Sequence, residues 1–262
     1  MSDQKSETSS AEPTGVLPGE RAKSLGVRGR KQFRDMPIEE FHRPDLNPYL
    51  KMYRSYGPPV ILGEEAPSFK GRWNEAFGRK APLFVEVGPG NGFFLAGMAK
   101  RHPEYNWCGI EIRFKRVILC ARKIEKAGVS NARITRYDAW WLDDLFEPGE
   151  VAGIRVNFPD PWKKERDEKH RLMSRPFAEW AARVLQVGGT LRLKSDHRPN
   201  LDRLIDSCAG LSLTVADRTD DVAAVGTPWS QEDDVVTNYQ TKFDKLGLPV
   251  YALEMVQGAD GS

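Results

Sequence analysis

The chain is 262 residues long, 40% hydrophobic and 29% charged, with a formal net charge of +2. That length can bury one large α/β domain, and a pI near 8.4 is only mildly basic, so affinity for a polyanion must come from local patches and not from the overall field. Cys108, Cys120 and Cys208 are isolated, which excludes a disulfide framework and a cysteine-rich metal site and fits a reducing cytoplasm. There is no apolar leader-like segment and no run of membrane-spanning length, so neither secretion nor membrane insertion is expected.

In chain order, residues 1 to about 20 are Ser, Glu, Pro and Gly with little to bury, and are expected to be disordered. Arg21, Lys23, Arg28, Arg30, Lys31 and Arg34 follow, interleaved with glycine, so 1–35 reads either as a flexible basic arm or as a solubilising tail. Residues 36–80 carry prolines and aromatics without sustained periodicity, and are expected to pack as an extension on a domain spanning 81–257, with 258–262 as a tail. Leu83 to Val87 is a compact apolar strand that ends in Gly88-Pro89-Gly90-Asn91-Gly92 and is followed by a mostly buried helix from Phe93. Glycines there admit positive φ and let a ligand approach the backbone, while the helix start offers unpaired N–H groups. The spacing is not that of a dinucleotide turn, and Glu86 sits just before it. A carboxylate in that place disfavours a pyrophosphate and favours a ligand bearing positive charge, such as the sulfonium and amino groups of S-adenosylmethionine.

A second strand, Asn106 to Ile112, carries Glu111 nineteen residues beyond Gly92, near the separation at which an acid meets ribose hydroxyls in βαβ nucleotide sites. Arg113 to Ala127 has one apolar face and stops at Gly128. The strand Ala132 to Tyr137 delivers Asp138, which either reaches an adenine edge or caps a short turn. The strand Ile154 to Phe158 then breaks at Pro159-Asp160-Pro161-Trp162, a stiff turn that holds Asp160 at the sheet edge. Lys163, Lys164, Arg166, Lys169 and Arg171 follow at a spacing that could meet a phosphate backbone or form a solvated face. A helix from Leu172 to Gln186, ended by Gly188-Gly189, leads to the strand Thr190 to Lys194. That strand presents Asp196 beside the end of the Asp160 strand. A helix over 201–209, a strand over 211–216, a late strand containing Thr237, Tyr239, Gln240 and Lys242, and a strand from Tyr251 to Val256 complete the pattern. Alternation of this kind predicts an open, mostly parallel, seven-stranded sheet with helices on both faces and an antiparallel late member.

Three stretches, VEVGPGNG (85–92), NFPDPWKKERDEKHR (157–171) and TNYQTKF (237–243), together resemble the bacterial tRNA (guanine-N7)-methyltransferases. The first is shared by many S-adenosylmethionine enzymes; the second is the specific one. The resemblance spans roughly Leu83 to Val256. It implies a Rossmann-like class I methyltransferase fold and methylation of a variable-loop guanine in tRNA, with S-adenosylmethionine held by Glu86, Gly88, Gly90, Gly92, Glu111, Asp138 and Asp160. It further implies that Asp160 serves catalysis by positioning, that Lys164, Asp196, Thr237 and Gln240 face the guanine, and that Arg166, Lys169, His170 and Arg171 lie on RNA. Guanine N7 has an in-plane lone pair, so no general base, Ser/His or Cys/His set is needed, and none is found. No metal or membrane partner is expected, and the protein is read as a monomer or homodimer.

Two departures stand out. Arg166-Asp167-Glu168-Lys169-His170-Arg171 is less basic than the family's usual run, and Gln240 stands where a glutamate is usual. Glutamine keeps one acceptor but gains an NH2 donor and loses the charge. Alternatives therefore stay open: a methyltransferase acting on another RNA or a small molecule, or a non-catalytic RNA-binding relative. The latter would have no use for the intact Glu86, glycine and Glu111 set.

Overall fold

The computed structural model describes residues 48–162 and 164–259. The arm over 1–35, the start of the extension, Lys163 and the last three residues lie outside the described residues. The elements are α1 (Pro48–Ser55), β1 (Val60–Ile61), α2 (Trp73–Phe77), β2 (Leu83–Val87), α3 (Phe93–Arg101), β3 (Asn106–Glu111), α4 (Phe114–Ala127), β4 (Ala132–Arg136), β5 (Val151–Asn157), α5 (Arg175–Val184), β6 (Leu185–Ser195), α6 (Pro199–Ser207), β7 (Leu213–Thr219), α7 (Val222–Val225), α8 (Asn238–Lys245) and β8 (Tyr251–Gln257).

The strands form one eight-stranded sheet in the order β1-β4-β3-β2-β5-β6-β8-β7, parallel except for β8, which runs antiparallel between β6 and β7. The apolar runs in β2, β3 and β5 are buried almost throughout, as central strands covered on both faces require. Seven strands were expected; the eighth is β1, two residues too short to carry a periodic signal, which pairs in parallel with β4. The helix expected to end at Gly188-Gly189 stops earlier, at Val184. Both glycines lie inside β6, where the pairing with β5 slips register between Val151 and Gly153. Gly188 has φ +80°, and a Cβ on Gly189 would meet the Gln186 carbonyl at 2.8 Å, so the pair makes a bulge and not a helix stop.

The chain reverses its winding between β2 and β5: β3 and β4 lie on one side of β2, and β5 and β6 on the other. Ligand crevices of open α/β sheets form at such a switch point, outside the carboxyl ends of the strands. Trp107 of β3, fully buried, stacks on Phe84 of β2 at 4.9 Å and meets Phe94 of α3 edge-on at 6.4 Å. One side chain thus fixes the strand, turn and helix around the glycine segment. Val117, Ile118, Cys120, Ala121 and Ile124 form the buried face of α4, and each large apolar side chain sealed in this way contributes about 1.5–3 kcal/mol. Gly128, at φ +68°, closes the helix.

Candidate active site at the strand ends

The glycine turn runs from the end of β2 to the start of α3, with Gly88, Gly90 and Gly92 at φ +77°, +57° and +75°. At Gly92 space as well as φ demands glycine, because a Cβ would stand 2.9 Å from the Cα of Cys120 in α4. The turn is tied to β3 by Glu111. Its Oε2 accepts from the Gly90 N–H at 3.2 Å and its Oε1 from the Arg113 N–H at 2.9 Å. Burial pushes the Glu111 carboxyl above its ordinary range, and the Arg113 and Gly90 donors only partly oppose that.

Glu86 is 1% exposed. Its Oε1 accepts from Asn157 Nδ2 at 3.0 Å, while Oε2 is sealed from solvent without a hydrogen bond. The Leu95 amide and the Lys194 charge lower its pKa without closing a bond to that oxygen. Burial dominates and pushes the carboxyl up to about 7. An orphaned buried acceptor at the switch point is costly unless a cation or donor completes it. The structure therefore fits a ligand that brings positive charge over the end of β2. Asp138 is buried and accepts from the Trp140 N–H at 3.1 Å, so it does cap the turn at Ala139–Asp144.

Across the crevice, Phe158 (φ +52°) and Trp162 (φ +40°) bracket Pro159-Asp160-Pro161. Two bulky residues in left-handed backbone cost free energy that the surroundings must offset. The Phe158 N–H donates to the Lys194 carbonyl at 2.8 Å, and the Phe158 ring packs 4.9 Å from that of Tyr239. Asn200 Nδ2 reaches the Pro159 carbonyl at 3.4 Å, and Arg171 Nε reaches the Trp162 carbonyl at 3.1 Å. The result is a braced loop that presents Asp160 to solvent. Asp160 and Asp196, at the ends of the paired β5 and β6, both act on Tyr239, adding to the burial that raises its hydroxyl pKa. Lys164 is exposed at the start of the 3-10 turn Glu165–His170, where Arg166 and Lys169 are also exposed, and His170 lies 5.0 Å from Trp162. Arg171 is different. Its guanidinium is tied to the Trp162 carbonyl through Nε and to Glu168 through Nη1, both at 3.1 Å, which makes it a brace of the loop.

The late strand around Thr237 is instead the helix α8. Thr237 is its N-cap, with the side-chain oxygen accepting from the Gln240 N–H at 3.1 Å. Thr237 and Gln240 are the first and last residues of a T-x-x-Q capping pattern, but the Gln240 side chain does not turn back to the cap. It is 4% exposed, and its Oε1 accepts from Lys194 Nζ at 2.9 Å. Lys194, 1% exposed at the end of β6, also donates to Asp234 Oδ1 at 2.7 Å and lies 5.6 Å from the centre of the Phe94 ring. Burial lowers its pKa, which the Asp234 and Glu86 charges oppose. Residues 231–235 form a strap held by four basic side chains: Arg101 on the Gln231 and Asp234 carbonyls, His102 and Arg192 on Asp233, and Lys194 on Asp234. Sequence reasoning passed over Lys194, Asn157 and Asp234. For Lys194 the available signal was its place at the end of a strand, directly before Ser195 and Asp196. Among the described residues no group of His, Cys, Asp and Glu could hold a metal ion, and no helix is long and apolar enough to cross a membrane.

Comparison with known proteins agrees with this geometry. A family model described as "Putative methyltransferase" matches residues 80–253. The tRNA (guanine-N(7)-)-methyltransferase of Bacillus velezensis is 34% identical over 215 residues, covering 82% of this chain and 94% of that protein. The Bacillus subtilis protein of the same name is 38% identical over 190 residues, covering 71% and 86%. Among solved structures, the 16S rRNA methyltransferase KamB superposes with a TM-score of 0.52 at 15% identity, covering 71% of this chain and 93% of that one, which is a likeness of fold.

Proposed function

The chain belongs to the bacterial tRNA (guanine-N7)-methyltransferase family, and we propose that the crevice over β2, β5 and β6 is where it works. It is an S-adenosylmethionine-dependent enzyme that methylates guanine N7 in tRNA. The observation that carries the site assignment is the pairing, across the switch point, of the orphaned buried oxygen of Glu86 with an exposed Asp160 on a loop strained at both ends.

On this reading Glu86, Gly88, Gly90, Gly92, Glu111 and Asp138 hold the cofactor, which when bound supplies an electrophilic methyl group on a positively charged sulfur. Glu86, with its Oε2 sealed beneath the crevice, acts on that positive charge through space, and Glu111 keeps free lone pairs for ribose hydroxyls while its backbone donors hold it still. No residue has to take a proton before attack, because the nucleophilic lone pair of guanine N7 is already available. The protein's task is alignment, and orientation of reacting groups can be worth about 7 to 11 kcal/mol. Asp160 and Asp196 are positioning groups whose charges both reach Tyr239; Lys164, Thr237 and Gln240 complete the base side. We assign the target to a guanine of the variable loop, and the protein to the cytoplasm, where Cys108, Cys120 and Cys208, free and buried, would stay reduced.

The exposed Arg166 and Lys169, flanked by His170, are placed to meet RNA phosphates. Replacing Arg166 and Lys169 together by alanine should weaken tRNA binding and reduce the slope of log affinity against log salt by roughly 1 to 2. The measurement is a binding titration at several salt concentrations. An unchanged slope would make this segment a solvated face with no part in docking.

A further inference from the structure

Gln240 is the one residue where chain and family pattern part company at the base side, and its surroundings say what the amide does. Lys194 Nζ has three donors and no acceptor, so the Gln240 atom 2.9 Å from it must be the carbonyl oxygen. The orientation of this amide, often ambiguous in a glutamine, is therefore fixed by its neighbour. Lys194 cannot easily turn away, because it is buried and also engaged by Asp234 at 2.7 Å and by the Val235 carbonyl at 3.4 Å. The remaining polar atom of Gln240, Nε2, has no hydrogen-bond partner, and it is not among the atoms sealed from solvent. Next to it Tyr239 stands within reach of the Asp160 and Asp196 charges. A 96% buried side chain thus keeps one N–H donor group that no protein acceptor takes and that is not sealed from solvent.

We propose that Gln240, locked by Lys194, is a specificity-determining residue that reads an acceptor on the target base, the guanine O6, and does not read the N1–H and exocyclic amine edge. Lys194 is the positioning residue of this contact, and the strap of residues 231–235 holds both in place. A carboxylate at this position would offer an acceptor and demand a donor edge. The amide reverses the polarity of the reading while keeping the shape. This rests on guanine in tRNA being the substrate.

The test uses full-length enzyme and tRNA carrying guanosine, inosine or 2-aminopurine at the modified position, with kcat/KM measured for each. Inosine lacks only the exocyclic amine and should be methylated within about threefold of guanosine, whereas 2-aminopurine, which lacks both O6 and the N1–H, should be poorer by about a hundredfold or more. A tRNA carrying N1-methylguanosine, which keeps O6 but has no N1–H, should stay within about tenfold of guanosine, and its rejection to the level of 2-aminopurine would overturn the O6 reading. Gln240→Glu should make the enzyme depend on the exocyclic amine, with inosine falling at least about tenfold below guanosine. Removing the lock with Lys194→Met and Asp234→Asn together, so that no buried charge is left alone, should shrink the inosine to 2-aminopurine ratio to under about tenfold, since the amide can then flip. A wild-type enzyme that rejects inosine, or that accepts inosine and 2-aminopurine equally, overturns the proposal. A wild-type enzyme inactive on guanosine tRNA would instead overturn the substrate reading beneath it.

Discussion

Replacing Asp160 by alanine is expected to lower methyl transfer to tRNA by about 100- to 1000-fold, the range seen when one pre-organised electrostatic group is removed from a site, with little change in melting temperature. Asp160 is exposed, and among the described residues its side chain makes no hydrogen bond that holds the loop together; the bracing is done by Phe158, Asn200 and Arg171. Stability should therefore change by no more than about 0.5 kcal/mol, and alanine before Pro161 keeps the extended backbone the turn needs. Function should not be spared, because a loop with Phe158 and Trp162 in left-handed backbone is stiff enough to aim one carboxylate. The checks are single-turnover methylation for the activity and thermal unfolding for the fold. Near wild-type turnover would remove Asp160 from the mechanism.

Cofactor binding is expected to release protons near neutral pH, and Glu86 is the source. Its pKa stands at about 7, above the ordinary 4.5, because the carboxyl is buried. The folded protein therefore prefers the protonated form. The stability this contributes is fully present below about pH 4.5 and is lost as pH rises through about 7. Once Glu86 is ionised the loss amounts to about 3 kcal/mol, at 1.36 kcal/mol per pKa unit. A positive charge brought over the end of β2 acts on the buried carboxyl through space, reverses the preference, pulls the pKa down and expels the proton. S-adenosylmethionine should thus bind more tightly as pH rises from about 6 to 8, and calorimetry in buffers of different ionisation enthalpy should show the proton leaving. Glu86→Gln should abolish that proton release, weaken binding by about tenfold or more, and raise the melting temperature of the free protein by several degrees at pH 8. Binding with no proton release in the wild type would place the cofactor's charge elsewhere.

The central strands and both working loops were legible in the sequence, and for a physical reason. Fully buried parallel strands read as unbroken apolar runs, and Gly88-Pro89-Gly90-Asn91-Gly92 and Pro159-Asp160-Pro161 punctuate them with residues whose backbone limits are known. The neighbourhood of Asp160 and Asp196 followed from strand order alone, and β5 and β6 do pair. What did not show was anything decided by distant partners. Thr237, Tyr239 and Phe243 favour a strand by propensity, yet the Thr237 cap and the pinned strap before it start a helix there. Lys194 ends a strand, and nothing beside it in the sequence marks it as buried. Only the arrival of Asp234 and Gln240, forty and forty-six residues later, makes it a buried centre. The positive φ of Phe158 and Trp162 carries no glycine to announce it, and the bracing role of Arg171 was hidden inside a charge run.

The most direct measurement is transfer of isotopically labelled methyl from S-adenosylmethionine to unmodified tRNA, followed by digestion and identification of the labelled nucleoside and its position by mass spectrometry. The account predicts N7-methylguanosine at a variable-loop guanine, formed by the wild type and nearly lost in Asp160→Ala. Label on another base or another atom of guanine, or transfer that proceeds equally well without tRNA, would contradict it.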